Sequence, residues 1–375
     1  AWIQAWERED VAAEDADGRR FDALTLDLFA FQFAHIPAYA AFCRARGATP
    51  MDVSTVDAIP LVPVAAFKSV RLATDAAASA PLAVFETSGT SDGQPGRVTL
   101  LDKSVYDASL HAGFRRFVVP DGVPGGFRCL SLVPGAAVRP CSSLGHMVRT
   151  LFARWDDGHG SWHLGVREDA PGLDAAGLEH ALERAIADAR PVLMFATSLA
   201  LELWLSARPS DRRLRLPAGS RLMDTGGPKG RVLSLGRAEQ HARLCDVLGL
   251  EPDHVVGELG MTELATPRYE TILRHRLRAD VAPARVYLGP PWLRSRVLRP
   301  SDRAPCAAGE TGMVAHVDLA NLDTSAFLLT ADLGREIALQ PGGPALELAG
   351  RVPGSEWRGC GLDAEELVRP GRAGR

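Results

Sequence analysis

Residues 85–98, FETSGTSDGQPGRV, are the stretch on which the reading of this chain turns. Apolar residues before Glu86 and after Arg97 bracket a run of hydroxyls, glycines and one proline. This is the pattern of two strands joined by a polar loop. Gly89 and Gly96 flank Thr90, Ser91 and Asp92. Glycine lets an anion approach the backbone, and exposed N–H groups beside hydroxyls make a phosphate-binding concavity. The spacing is not that of the P-loop, G-x-x-x-x-G-K-[ST] opening a helix. Read alone, the segment is equally well a polar surface turn.

Three later segments carry what could be the remaining parts of one nucleotide site: MDTGGPKG at 223–230, GELGMTE at 257–263 and LTADLGR at 329–335. With the first loop, they resemble in sequence and in order the core motifs of the adenylate-forming superfamily. That superfamily includes acyl-CoA synthetases, peptide-synthetase adenylation domains and luciferases. A narrower resemblance runs from roughly residue 20 to 367, through IPLVPVAAFKS (59–69), PCSSLGHMV (140–148), PVLMFATS (191–198), GMTELATPRYE (260–270), GPPWLRSRVL (289–298), HVDLANL (316–322) and GRVPGSEWRGC (350–360). These segments resemble the acyl-protein synthetases of bacterial bioluminescence operons, which activate fatty acids for a partner reductase.

Bulk properties narrow the class independently. The 375 residues can bury a large core, and 46% apolar with 23% charged residues is ordinary for a globular chain. A net charge of −4 without a basic stripe gives no footprint for nucleic acid. No apolar run approaches the ~20 residues of a membrane span, and no signal peptide is visible. Cysteines 43, 129, 141, 245, 306 and 360 are scattered without C-x-x-C pairs, so neither a zinc site nor a disulfide framework is indicated. A reduced, cytoplasmic protein is the expectation, with most of these cysteines acting as small buried hydrophobes.

Periodicity organises the chain into an α/β fold. Phe21, Leu24, Leu28, Phe31 and His35 recur at helical steps. The proline-punctuated segment 59–68 reads as extended. Strands are expected at 82–86, 97–101, 128–133, 191–196, 220–224 and 254–257. Helices are expected at 102–118, 142–154, 173–188, 198–206 and 233–248, with Asp102 and Ser142 as N-caps. Such alternation predicts mostly parallel sheets. After residue 284 short β-branched runs between Pro/Gly turns predict a small antiparallel barrel or sheet.

The resulting division has an N-terminal helical segment of the first α/β subdomain over 1–80. The α/β subdomains carrying the phosphate loop, adenine loop and GMTE motif follow at 81–283, a small β subdomain at 284–350, and a truncated hinge and tail at 351–375. The resemblance implies the N-terminal architecture of an adenylate-forming enzyme without the mobile C-terminal domain and its catalytic lysine.

It also implies a site. A carboxylate would attack the α-phosphorus of ATP, and catalysis would be mainly positioning and electrostatic stabilisation. Thr87, Ser88, Gly89, Thr90 and Ser91 would cradle the β- and γ-phosphates. Arg97 stands near the place where the family usually has a lysine, and a forked guanidinium is not a plain substitute for one. Thr262 would touch the α-phosphate, and Glu263 would hold Mg²⁺, a hard cation often bound through one carboxylate plus phosphates. Outside its motif, Glu263 would read as an exposed carboxylate at a helix start. Leu259 replaces the aromatic that commonly stacks on adenine. Gly226 and Gly227 would let the backbone approach adenine, and Asp332 would bind both ribose hydroxyls unless it merely forms a turn. Arg351, in the hinge-like Gly350-Arg351, completes the nucleotide set. His146, Met147, Phe195 and Thr197 would line the acyl pocket. Cys360, in RGC, matches the cysteine that receives the acyl group, with a neighbouring arginine favouring its thiolate.

The expected function is therefore an ATP- and Mg²⁺-dependent ligase that passes a fatty acyl group through Cys360 to an acyl reductase. Two other readings fit the same residues. One is an adenylating ligase serving an external amine or a carrier protein. The other is a non-catalytic nucleotide-binding scaffold, suggested by Leu259, Arg97 and the absent lysine domain.

Overall fold

The computed structural model describes residues 1–9, 15, 18–74, 81–87, 95–167, 170–209, 211–225, 235–278, 285–339 and 343–352. They form two compact units interleaved along the chain. One comprises Ala1–Ala112, Met261–Thr266 and the chain from Leu288; the other comprises Gly113–Gly260 and Pro267–Tyr287.

The second unit is a doubly covered parallel sheet. Its strands run in the order Ser161–Trp162, Arg128–Leu132, Val192–Thr197, Arg221–Thr225, Val255–Leu259 and Arg268–Glu270, and only the last pair is antiparallel. The intervening helices are Ser143–Trp155, Ala175–Ala187, Ser198–Ala207 and Arg237–Leu248. All lie within a few residues of the positions that periodicity predicts. Alternation along Val192–Thr197 separates two cores. Val192, Met194 and Ala196 join an aliphatic cluster with Leu178, Leu201, Trp204 and Leu244. Phe195 points the other way, with ring centroids 5.8 Å from Phe114 and 5.6 Å from Phe152.

The first unit is built on an antiparallel meander of Leu293–Leu298, Gly312–Asp318, Phe327–Leu339 and Gly343–Arg351. Of the two forms expected after residue 284, the sheet is the one found; no closed barrel occurs among the described residues. Segment 59–68 is extended at Ile59 and pairs as a strand at Val62–Pro63, which adds to Leu328–Leu329 in parallel, and then tightens into a 3₁₀ turn, Val64–Lys68.

The helix Arg19–His35 forms as expected but buries a different face. Its inner stripe is Phe21, Thr25, Leu28, Phe29 and Gln32, whereas Leu24 and Phe31 are 42% and 45% exposed. Two polar residues sit inside because their bonds are made. Thr25 donates to the Phe21 carbonyl at 2.7 Å. Gln32 Nε2 donates to the carbonyls of Asn321 and Thr324, both at 2.7 Å, and its Oε1 accepts from Ala326 N at 3.0 Å. A buried amide that is satisfied at both ends costs little and fixes the helix against the 318–326 segment.

Ser142 caps its helix by accepting from Gly145 N at 3.0 Å. Asp102 stands further out than expected: its carboxylate takes the Ser104 N–H at 2.7 Å, and the helix itself begins at Ser104. No single helix among the described residues is long and apolar enough to cross a membrane.

Candidate active site

In the first unit, Ala83–Glu86 pairs antiparallel with Arg97–Leu100, as the opening stretch predicts. Thr87 and Gly96 close the hairpin: Thr87 N donates to Gly96 O, and Gly96 N donates to Thr87 Oγ1, each at 2.9 Å. A Cβ at position 96 would sit 3.1 Å from Phe67 Cβ and 3.2 Å from Thr87 Cγ2, so glycine is what lets the strand pass. Arg97 is 67% exposed and lies 3.3 Å from Glu86 Oε1, its cross-strand neighbour. Ser88, Gly89, Thr90 and Ser91 lie outside the described residues.

Thr262 and Glu263 occupy a turn, Met261–Thr266, and not a helix start. Glu263 is only 9% exposed. HVDLANL ties the turn down at Glu263 and at Thr266. Asn321 Nδ2 donates to the Glu263 carbonyl at 2.7 Å. Asp318 accepts from Thr266 N at 2.9 Å, Thr266 Oγ1 at 2.7 Å and Ala320 N at 3.0 Å, and the Ala265 backbone N–H also favours its charged form. Thr266 Oγ1 is also 2.9 Å from Ser109 Oγ, which accepts from Trp292 Nε1 at 3.0 Å. Burial pushes the Asp318 carboxyl up to about 6, against the pull of its donors.

Asp332 is likewise no turn residue. It lies within the strand Phe327–Leu339, directly opposite Arg351, and the Arg351 guanidinium meets its carboxylate at 3.0 Å. The structure thus brings two expected nucleotide-binding residues together. Burial raises the Asp332 pKa and Arg351 partly offsets the shift. A carboxylate held by one charged partner keeps acceptor capacity for hydroxyls.

In the second unit, His146 and Met147 are buried on the helix Ser143–Trp155. Thr150 Oγ1 lies 3.4 Å from His146 Nε2. Phe195 belongs to the aromatic core, while Thr197 ends its strand and caps the next helix by accepting from Ala200 N at 3.2 Å. Gly226 and Gly227 lie outside the described residues.

Sequence reading missed a charged cluster at the carboxyl ends of these strands, the edge at which open α/β sheets bind ligands. Asp224 accepts from Ser198 Oγ at 3.0 Å and meets His241 Nε2 at 2.9 Å and Arg237 Nε at 3.3 Å. Arg237 Nη1 reaches Glu270 at 2.8 Å, and the other Glu270 oxygen takes Arg285 Nη1 and Gly257 N, both at 2.8 Å. Glu258 accepts from Thr225 Oγ1. The available signal was an acid inside an apolar strand, as in RLMDT and RYE; its partners are too distant in sequence to be read.

Cys360 lies outside the described residues. Burial raises the thiols of Cys43, to about 12, and of Cys129, Cys245 and Cys306, so these four are poor nucleophiles. No group of three or more His, Cys, Asp or Glu among the described residues forms a metal cluster. A single buried carboxylate such as Glu263 fits the other mode, in which phosphates supply the remaining ligands.

No family model matches the chain. By structure it is similar to 2-hydroxyisobutyryl-CoA ligase in complex with 2-HIB-AMP and CoA, with a TM-score of 0.61 and 15% identity over 92% of this chain and 71% of that one. The same ligase in its thioesterification state gives 0.60, covering 88% and 68%. The chain shares its fold with that CoA ligase. By sequence the chain is 29% identical over 147 residues to the long-chain-fatty-acid–luciferin-component ligase of Vibrio harveyi, and 31% identical over 85 residues to that of Aliivibrio fischeri. These matches cover 38% and 21% of this chain, and 36% and 22% of those ligases. The chain thus matches about a third or less of the length of either curated relative.

Proposed function

We propose that this chain is an AMP-forming acid ligase. A carboxylate oxygen attacks the α-phosphorus of ATP, the bond to the bridging oxygen breaks, and pyrophosphate leaves with the electron pair. The acyl adenylate then yields its acyl group to a thiol: thiolate sulfur bonds to the acyl carbon, and AMP departs. The acid is a long-chain fatty acid, in line with the names of the relatives in Vibrio harveyi and Aliivibrio fischeri.

The observation that carries this reading is the Met261–Thr266 turn, in which a buried Glu263 is held by bonds at its own carbonyl and at Thr266. Such a carboxylate offers a hard oxygen in a fixed place. Mg²⁺, when bound, offsets charge on the phosphoryl oxygens. Asp332, steadied by Arg351, accepts from ribose hydroxyls. Thr87, Ser88, Gly89, Thr90, Ser91 and Arg97 receive the β- and γ-phosphates, Thr262 the α-phosphate, and Gly226 and Gly227 the adenine. His146, Met147, Phe195 and Thr197 bound the acyl chain. Cys360 is the acyl acceptor, and an acyl reductase or carrier protein takes the product onward in a reducing, cytoplasmic setting.

Glu263→Gln tests the carrying observation: acid-dependent pyrophosphate exchange is expected to fall by about 100-fold or more while thermal unfolding stays near wild type. Near-normal exchange in a folded variant removes Glu263 from the metal role. Cys360→Ser is expected to keep exchange and lose the hydroxylamine-labile acyl label. A wild-type protein that never carries a thioester when given ATP, Mg²⁺ and acid would turn the reading toward an external amine or thiol acceptor.

A further inference from the structure

Within the turn that bears Glu263, Leu264 N donates to the Met261 carbonyl at 3.1 Å. Buried bonds from the segment 318–326 and from Ser109 anchor it further. Asn321 grips the Glu263 carbonyl, and its Nδ2 also reaches the Ser325 carbonyl at 3.3 Å. Asp318 grips Thr266 through both backbone and side chain. Thr266 Oγ1 is the junction between Asp318 and the Ser109–Trp292 pair. Segment 318–326 is itself clamped by Gln32 from the helix Arg19–His35. Every one of Gln32, Ser109, Thr266, Asp318 and Asn321 is at most 1% exposed, so water cannot replace a lost partner.

We propose that Asp318, Asn321 and Thr266 are positioning residues that fix the Glu263 carboxylate where the adenylation reaction needs it, acting through the backbone of the Met261–Thr266 turn. The inference rests on the reading of the chain as an adenylating ligase. It adds a set of groups that touch neither nucleotide nor acid yet set the rate. A carboxylate displaced by about 1 Å from its productive place costs up to about a hundredfold in rate. ATP affinity should depend less on this turn, because most of the proposed nucleotide contacts lie at Asp332, Arg351 and the phosphate loop.

The test uses three variants of the full chain. Thr266→Val keeps shape and removes the hydroxyl junction, Thr266→Ser restores the hydroxyl, and Asn321→Ala releases the Glu263 carbonyl. Two readouts are taken: steady-state pyrophosphate exchange with Mg²⁺, ATP and a fatty acid, and amide hydrogen exchange of residues 262–266. For Thr266→Val and Asn321→Ala we expect kcat to fall about 10- to 100-fold with the KM for ATP within about threefold. Amide exchange in the turn should speed up while the strand Val192–Thr197 stays protected. Thr266→Ser should recover kcat to within about threefold.

Unchanged kcat in folded Thr266→Val and Asn321→Ala overturns the proposal while leaving the ligase reading standing. Equal losses in Thr266→Ser and Thr266→Val overturn it too, since serine keeps the hydroxyl. If the wild type exchanges no pyrophosphate with any acid, the ligase reading falls, and the proposed role for these residues falls with it. In that case faster exchange of amides 262–266 in the variants would still show that these side chains anchor the turn.

Discussion

Two buried polar networks hold motif ends in this molecule, one in each compact unit, and they are built from different chemistry. In the first unit a solitary carboxylate, Asp318, is satisfied by neutral donors, backbone amides and the Thr266 hydroxyl. In the second, Asp224 and Glu270 are matched to Arg237, Arg285 and His241. A carboxylate among neutral donors keeps the desolvation cost of its charge, which is why the Asp318 pKa rises. A carboxylate paired with guanidinium offsets that cost by attraction, and burial works against the Arg237 charge until Glu270 and Asp224 outweigh it. The difference teaches what each network is sensitive to: pH in the first, loss of a partner in the second.

Removing one partner from the paired network gives the largest expected effect. Glu270→Ala takes the shared carboxylate away from Arg237, Arg285 and the Gly257 N–H, leaving Arg237 with Asp224 and Arg285 with the Val255 and Pro252 carbonyls, and should cost about 3 kcal/mol in urea unfolding. That value is at the low end for a broken buried pair, because Arg237 and Arg285 keep 40% and 33% of their side-chain surface in water. A loss below about 1 kcal/mol would show that the pairing does not hold this edge of the sheet.

The solitary carboxylate predicts a pH signature. Its folded-state pKa is raised, so the fold favours the protonated form. The stabilisation is complete below the unfolded-state value near 4 and is lost as pH rises through about 6. Stability of the wild type relative to Asp318→Asn should therefore drop by on the order of 2 kcal/mol between pH 4 and 7. A flat difference across that window would mean that its donors hold Asp318 ionised throughout.

Two smaller changes sharpen the contrast. Gly257→Ala places a Cβ about 2.8 Å from Glu270 Cδ and against the Arg237 guanidinium, and should cost about 1–2 kcal/mol by forcing the pair aside. Arg335→Ala breaks an ion pair with Glu347 whose members are 45% and 39% exposed, and should leave the urea midpoint unchanged within error. A lowered midpoint there would mean that charge pairing stabilises this chain irrespective of burial.

How far the sequence was legible follows from the range of the interactions concerned. Strand Val192–Thr197 and the cap at Ser142 depend on neighbours within a few residues, and period and propensity locate them. The inner face of Arg19–His35 does not, because Gln32 is buried only by partners near residue 321, almost three hundred positions away. The interleaving of the two units is hidden for the same reason. GELGMTE reads as one motif, yet Gly257–Leu259 belongs to the parallel sheet and Met261–Glu263 to the other unit. Motif order identified Glu263 and Asp332 as residues of interest. It said nothing of Asp318, Asn321, Asp224 or Glu270, whose roles exist only through distant contacts.

Adenylation is read out by pyrophosphate exchange on the wild-type chain. Incubated with ATP, Mg²⁺ and labelled pyrophosphate, the protein is predicted to form labelled ATP only when an acid is supplied. Long-chain fatty acids should give the fastest exchange among fatty, aryl and amino acids. No acid-dependent exchange with any member of that panel, from a protein that is folded by thermal unfolding, would contradict adenylation and leave a nucleotide-binding scaffold in its place.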